Sequence, residues 1–345
     1  MERPLVSFCF TTFKRQDYLR KTLEGIRLQT YSNFEVVVSD NDPEGSGRAS
    51  VEGMNDKRFK YFPNGENLGM KKSFNKSLER SSGEFIVMIA DDDPVYPDML
   101  ETLVDLSIKH PGKGMYLGGC NWFCTDPDLA DFYHCKVGAN SCLAHRPLGE
   151  VSVFDASSFL KSFFNFNIFP NYLWSCGMVR RDVMIKMGGV PDYGTAFLGD
   201  YAYMSIMGGY SGCVTINQAL GHQTLHKQNF GRAQNEQLLT LGDAFMNYVS
   251  GKLSHLQAWP LIKKDMEHFV AVWILRHLHF LKEYSIYVGD TSNLEELNDF
   301  ERKIFQLPLM KPYRAKYFLL SHFPSIHDLI VKWKRQRKKQ KEAHG

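Results

Sequence analysis

The chain contains no long apolar run. No stretch of its 345 residues approaches the ~20 apolar positions that span a bilayer. The most apolar late segment, Phe269 to Leu281, is broken by Arg276, His277 and His279. No apolar h-region stands at the start either: Met1-Glu2-Arg3-Pro4 runs straight into a strand pattern, so no signal peptide is expected. The G-x-G-x-x-G turn of dinucleotide-binding folds is missing after the first strand, which argues against a nicotinamide or flavin enzyme. Gly208-Gly209-x-x-Gly212 is only a displaced echo of it. A Walker loop is missing too, which argues against P-loop phosphoryl transfer. The seven cysteines are an odd number without tight spacing, the usage of reduced thiols in a cytoplasm. Cys120, Cys124, Cys135 and Cys142 are too irregularly spaced to read as a zinc site.

What is present is an ordinary globular composition, 43% apolar and 23% charged, long enough for one large domain or two joined ones. The formal net charge of +3 is unevenly distributed. Lys332, Lys334, Arg335, Arg337, Lys338, Lys339 and Lys341 crowd the end beside a single acid, Glu342. The remainder holds 34 basic against 37 acidic residues, a mildly acidic body with a basic tail.

Residues 5–10 read as a buried strand and residues 15–29 as a helix with Leu19, Leu23 and Ile26 on one face. Phe34 to Ser39 and Phe59 to Phe62 read as further strands, and residues 70–81 as a helix carrying Phe74 and Leu78. Phe85 to Ala90 is an apolar run bounded by Gly83 and Pro94. Strands alternating with helices predict an α/β fold with a parallel, doubly wound sheet, whose ligands bind at the carboxyl ends of the strands. Thr11, Thr12, Asp40 to Asp42 and Asp91 to Asp93 all fall just past such ends. Residues 115–235 are aromatic and glycine-rich with fewer clear periods. From about 236 the pattern turns helical, with Leu238, Leu241, Phe245 and Val249 recurring at three to four residues.

The triplet Asp91-Asp92-Asp93 carries the chemistry. Adjacent carboxylates at a strand end repel one another and lose solvation. A hard divalent cation, Mg²⁺ or Mn²⁺, relieves that conflict and bridges carboxylates to substrate phosphates. The competing reading is a solvated turn ahead of the helix from Asp98 to Lys109.

The stretch Val6-Ser7-Phe8-Cys9-Phe10-Thr11-Thr12-Phe13-Lys14-Arg15 resembles the opening strand and nucleotide loop of family 2 glycosyltransferases with a GT-A fold, a Rossmann-like, mostly parallel sheet flanked by helices. Val38-Ser39-Asp40-Asn41-Asp42 is similar to that family's second-strand acid motif, and Asn67-Leu68-Gly69 with Lys71, Lys72 and Asn75 to its Asn-x-Gly segment. Asp91-Asp92-Asp93 resembles its D-x-D motif, and Arg180-Arg181 and Gly188-Gly189-Val190-Pro191 its basic pair and glycine turn. Gly199-Asp200-Tyr201 stands where the family has Glu-Asp, and Leu225-His226-Lys227-Gln228-Asn229 resembles its segment after the last strand. The resemblance covers residues 4–232. Ala90 stands where many members carry a further acid, Gly199 replaces the usual Glu, and the triplet allows two metal-binding registers.

The resemblance implies residues 1–114 as a nucleotide-sugar-binding half and 115–235 as an acceptor-binding half; the helical periodicity beyond them reads as a C-terminal extension over 236–345, outside the resemblance. It implies an inverting transferase that moves a sugar from a nucleotide-diphosphate sugar, a UDP-sugar favoured, to a glycan or lipid-linked oligosaccharide in surface-polysaccharide synthesis. Asp200 is the expected base. Donor contacts fall to Thr11, Thr12, Phe13, Arg15, Asp40, Asn67, Lys71, Asp91 and Asp92, and metal contacts to Asp91, Asp93 and His226. Lys227 and Arg232 can offset phosphate charge, and Trp122, Tyr172 and Trp174 offer either a sugar platform or core packing. Ser325 reads as a helix N-cap ahead of Ile326, Leu329, Ile330 and Trp333 on one face, continuous with the basic run. That is the pattern of an interfacial helix on an anionic membrane, here the inner face of the cell membrane, and nucleic acid is not an expected partner. The rival readings are a nucleotidyltransferase and a non-catalytic sugar-nucleotide-binding protein on the same fold.

Overall fold

The computed structural model describes residues 3–138, 140–141, 148–168, 171–195, 197–226 and 235–315. Its first half is the predicted alternation: β1 (Val6–Thr12), α1 (Gln16–Arg27), β2 (Phe34–Asp40), α2 (Arg48–Glu52), β3 (Phe59–Pro63), α3 (Met70–Arg80), β4 (Phe85–Ala90) and α4 (Met99–Lys109). There follow β5 (Met115–Cys124), α5 (Pro127–Phe132), β6 (Asn140–Ser141), β7 (Val151–Phe154), α6 (Ala156–Phe164), β8 (Gly177–Arg180) and α7 (Arg181–Met187). The order continues through α8 (Gly199–Ser211), β9 (Cys213–Leu225), α9 (Leu238–Leu253), α10 (Trp259–Val288) and α11 (Thr291–Gln306).

The strands form one sheet in the order β3-β2-β1-β4-β8-β5-β9-β7, with β6 added beside β5. Parallel pairing joins β1 to β2 and β4, β2 to β3, and β5 to β9. β8 runs antiparallel between β4 and β5, and β7 antiparallel to β9. Every residue of β2 is buried, which is why the run Phe34-Glu35-Val36-Val37-Val38 does not alternate. α1 covers the sheet with Leu19, Leu23 and Ile26, as its spacing predicts.

The two halves of the sheet meet through β8. It pairs with β4 only at Phe85 and Ile86, the start of that strand. The carboxyl end of β4 is therefore not zipped to β8, and the acid triplet emerges where the halves diverge. The strand order reverses between β1 and β4, so the triplet also lies at the switch point where α/β sheets bind ligands.

The chain divides into two compact units, Met1–Phe269 and Val270–Gly345. The first includes α9, since Phe245 and Phe269 lie 6.3 Å apart and Phe269 stacks on Phe163 of α6 at 5.9 Å. Within the second, Lys282 of α10 pairs with Glu301 of α11 at 3.0 Å. Among the described residues no helix is long and apolar enough to cross a membrane. The basic tail and its predicted helix from Ser325 lie outside the described residues.

Candidate active site

The turn after β1 builds the first wall. Lys14 takes a left-handed backbone, φ 54°, uncommon for a side chain of its kind, and the sharp bend sets Arg15 at the head of α1. The Arg15 guanidinium reaches the acid triplet. Its Nη1 lies 2.9 Å from Asp91 Oδ1, and its Nη2 donates to Asp92 Oδ2. Thr12 Oγ1 donates to Asp91 Oδ2 at 3.0 Å, and Thr22 of α1 donates to the Asp91 carbonyl at 2.8 Å.

β9 supplies the opposite wall. Its residue Thr224 donates its backbone N–H to Asp93 Oδ1 at 3.2 Å and its hydroxyl to the Asp92 carbonyl. His226, just beyond the strand, places Nε2 3.0 Å from Asp92 Oδ2 and 3.4 Å from Arg15 Nη2. Tyr18 backs both groups. Its ring stacks on His226 at 5.1 Å, and the Arg15 guanidinium sits 4.8 Å from its centroid.

The three acids are all buried but are not equivalent. Burial pushes Asp91 up to about 7, with Arg15 opposing and the Asp92 charge reinforcing the rise. Burial and the Asp92 charge raise Asp93 well above the usual carboxylate range. Burial also works against Asp92, but the His226 hydrogen bond and the Arg15 guanidinium outweigh it and hold its carboxyl below that range. Asp92 is thus the acid that keeps its charge most firmly.

The sequence set Asp91, Asp93 and His226 as metal contacts. In the structure Asp92 meets His226, Asp91 is engaged by Thr12 and Arg15, and Asp93 accepts from Thr224. Among the described residues no group of three or more His, Cys, Asp or Glu side chains is arranged to hold a metal ion by itself. An imidazole nitrogen and a carboxylate oxygen 3.0 Å apart still make a donor pair that suits Mn²⁺ or Mg²⁺, provided that phosphate oxygens and water fill the other positions. The cationic Arg15 already lying against both donors shows that the spot favours positive charge. Of the irregular cysteine set, Cys120, Cys124 and Cys135 are free thiols, and Cys142 lies outside the described residues.

Asp40 ends β2 in register with Thr12. Both of its carboxylate oxygens are used inside the protein: Oδ1 accepts from the Asp42 N–H at 2.9 Å, and Oδ2 from the Gly47 N–H and the Tyr61 hydroxyl, each at 2.9 Å. Asp40 therefore organises the loop that follows β2. Asn41, next to it, accepts from Asn64 at 3.0 Å and from the Leu68 N–H at 3.3 Å. Thr11 donates to Ser73 of α3 at 2.6 Å, while Phe13 stays 40% exposed with the Lys14 ammonium 5.7 Å from its ring centroid.

A second cluster forms across α3. Asn67 Oδ1 accepts from the Gly69 N–H at 3.0 Å and shapes the turn into the helix. Lys71 donates to Asp192 at 2.9 Å and to the Thr195 carbonyl at 2.8 Å. Asn75 receives the Val190 N–H at 2.8 Å. The glycine turn exists for this docking: Gly189 has φ 78°, and a Cβ there would meet Asn75 Oδ1 at 2.2 Å. The docked loop leads through Leu198, φ 60°, to Asp200, the second residue of α8. Asp200 is not the helix cap; its Oδ1 accepts from the Tyr201 N–H at 3.0 Å. Burial pushes its carboxyl up to about 6, and its charge is felt by the hydroxyls of Tyr172 and Tyr193.

The structure thus joins Thr12, Arg15, Asp91, Asp92, Asp93 and His226 in one network, and Lys71 with the Asp200 loop in another. Trp174 is core, packed edge-on to Phe74 and Tyr203. Lys227, Gln228, Asn229 and Arg232 lie outside the described residues. Sequence reading missed Tyr18, Thr22, Tyr61 and Thr224. The one signal for Tyr18 and Thr22 was position, three and seven residues beyond Arg15 on the same helix.

Residues 7–187, more than half of the chain, match the Glycosyl transferase family 2. The chain is 31% identical over 120 residues to the GalNAc(5)-diNAcBac-PP-undecaprenol beta-1,3-glucosyltransferase of Campylobacter jejuni, covering 34% of this chain and 38% of that protein. It is 28% identical over 116 residues to the UDP-Glc:alpha-D-GlcNAc-diphosphoundecaprenol beta-1,3-glucosyltransferase WfgD of Escherichia coli, covering 34% and 46%. The chain spans less than half the length of these relatives. S. aureus TarS 1-349, solved in complex with UDP-GlcNAc, superposes with a TM-score of 0.58 at 13% identity, covering 87% of this chain and 81% of that one. The mannosyltransferase PcManGT of Pyrobaculum calidifontis, solved with GDP-Man and Mn²⁺, superposes with a TM-score of 0.51 at 18% identity, covering 93% and 85%. The sheet order and these neighbours define a GT-A fold. The chain belongs to glycosyl transferase family 2.

Proposed function

We propose that this chain transfers a sugar from a nucleotide-diphosphate sugar, a UDP-sugar favoured, to a hydroxyl of a lipid-linked glycan in surface-polysaccharide synthesis, with inversion at the anomeric carbon. The observation that carries this reading is the Asp92–His226–Arg15 cluster at the carboxyl ends of β4 and β9, beside the loops that follow β1 and β2. Asp92 and His226 are the groups that would hold Mg²⁺ or Mn²⁺, with Asp91 and Asp93 flanking them. A cation bound there supplies charge neutralisation for the departing diphosphate. Arg15 and Thr12 face the same phosphates. Phe13 and Thr11 border the nucleobase, and Asp40 holds the loop that meets the base and ribose.

Asp200 acts from the other cluster. Its raised carboxyl is still largely ionised at neutral pH, so it can take the proton of the attacking acceptor hydroxyl. A single carboxylate on the acceptor side supports one displacement, and hence inversion. Asn67 shapes the turn into α3, and Lys71 and Asn75 hold that helix against the loop that leads to Asp200. The two relatives named for undecaprenol-linked acceptors support a lipid-linked acceptor here, and the basic tail supports binding at the inner face of the membrane. The test is thermal shift with UDP-, GDP-, TDP- and CDP-sugars with and without Mn²⁺, followed by NMR of the anomeric configuration of the product. No shift with any donor, or a product of retained configuration, overturns the reading.

A further inference from the structure

We propose that Arg15 is a resident counter-cation that sets the order of binding, closing the Asp92–His226 site to a divalent metal until a diphosphate arrives to draw the guanidinium away. The inference rests on the reading of Asp92 and His226 as the metal-holding pair. One nitrogen, Arg15 Nη2, bonds Asp92 Oδ2 and lies 3.4 Å from His226 Nε2, while those two atoms are 3.0 Å from each other. The other, Nη1, lies 2.9 Å from Asp91 Oδ1. The guanidinium edge therefore covers the position from which a cation would touch both donors. A dication and a guanidinium cannot share that position, because like charges at this separation in a partly buried site repel strongly.

Two features make the contact releasable. Arg15 Nε is buried without a hydrogen-bond partner among the described residues, so the resting arrangement leaves one of its donors unsatisfied. The Arg15 side chain is 30% exposed and lies over the Tyr18 ring, a flat apolar surface along which a guanidinium can shift while keeping its cation–π contact. A diphosphate offers the planar, bidentate partner that a guanidinium prefers. When Arg15 turns to it, Asp92 and His226 are freed together. Metal alone then binds weakly, and metal and diphosphate strengthen each other by the same factor in both directions.

The experiment measures Mn²⁺ binding by the EPR signal of the free ion, with and without UDP, on the full chain and its R15Q variant. Without UDP, R15Q should bind Mn²⁺ about tenfold or more tightly than the wild type, and the gain from adding UDP should shrink to match. Asp92→Asn should abolish the signal change in every condition, which assigns it to this site. If wild type with UDP takes up Mn²⁺ but R15Q without UDP binds no better than wild type, the ordering role of Arg15 is overturned and the metal reading stands. If no form binds Mn²⁺ even with UDP, the metal reading itself fails. Should R15Q not fold, R15K makes the same comparison, since its single ammonium keeps the charge but cannot span both acids. A several-fold gain without UDP supports the proposal, and an unchanged affinity overturns it.

Discussion

Asp200→Asn separates catalysis from stability in opposite directions. The substitution keeps the size of the side chain and its acceptor toward the Tyr201 N–H, and it removes the charge. Loss of a general base lowers turnover by about 10²–10⁴-fold. In the wild type kcat/KM should fall about tenfold per pH unit below about 6, where burial places this carboxyl, and the residual rate of the variant should lose that break. Stability should move the other way. A carboxyl raised from 3.8 to about 6 favours its neutral form in the fold. Its contribution is therefore complete below the unfolded value and lost as pH rises through the folded one. Two units correspond to about 3 kcal/mol, which residual solvent contact at the edge of Asp200 reduces to roughly 1–2 kcal/mol. At pH 7.5 the Asn variant should accordingly melt about 2–8 °C above the wild type, and at pH 4 the difference should vanish. Scanning fluorimetry at the two pH values, calorimetry of donor binding and a transfer assay read the three quantities. Turnover within tenfold of wild type, donor binding lost along with turnover, or a lower melting temperature at pH 7.5 would each refute the assignment of Asp200 as base.

Asp92→Asn and His226→Ala should each remove the Mn²⁺-dependent part of the thermal shift given by a nucleotide sugar. Asp93→Asn should keep most of it, because an amide oxygen still accepts from the Thr224 N–H. Gly189→Ala places a Cβ against Asn75 at a left-handed backbone position and should cost about 2 kcal/mol or more, seen as a melting temperature lower by roughly 4–8 °C; an unchanged melting temperature would mean that the loop yields without strain. Truncation after Pro324 should release the protein from anionic vesicles, with basic residues near the surface contributing about 1 kcal/mol each, and equal sedimentation of the two forms would show that the tail is not the anchor.

The first half of the fold was legible because a parallel sheet covered on both faces leaves a simple trace: short apolar runs, amphipathic helices between them, and polar residues where each strand stops. β1, β2, β3 and β4 with α1 and α3 follow it closely. The second half was not legible, for physical reasons. β8 has four residues, too few for a period. β5 shifts register around Gly118 and Gly119, and β9 carries Asn217, Gln218, His222 and Gln223, so both read as loop until their pairing is seen. The site divides in the same way. Asp91 to Asp93 announce themselves by mutual repulsion, but which of them stays charged depends on Arg15 and His226, 77 and 134 residues from Asp92 in sequence. Tyr18 and Thr224 are ordinary residues until the fold sets them behind His226 and beneath the triplet.

On the function proposed above, the two carboxylates that matter most have their protonation driven in opposite directions by their surroundings, and that separation is what such a reaction needs. Asp92 sits where a cation is always present, Arg15 at rest and a metal in the loaded site on the reading proposed above, so its charge is retained through the cycle. Among the described residues, burial and backbone N–H groups set the state of Asp200, and the tyrosines 172 and 193 feel its charge. A leaving-group site requires an acid that does not take up a proton, and a base requires one that does. Pushing paired titratable groups in opposite directions by local environment is the general way one fold supports both tasks near neutral pH. Here the means are visible in the chain itself. The strained turn at Lys14 delivers the cation to one carboxylate, and the Gly188-Gly189 turn, docked on Asn75, leads to the other, whose protonation among the described residues is governed by burial and backbone N–H rather than by a cation.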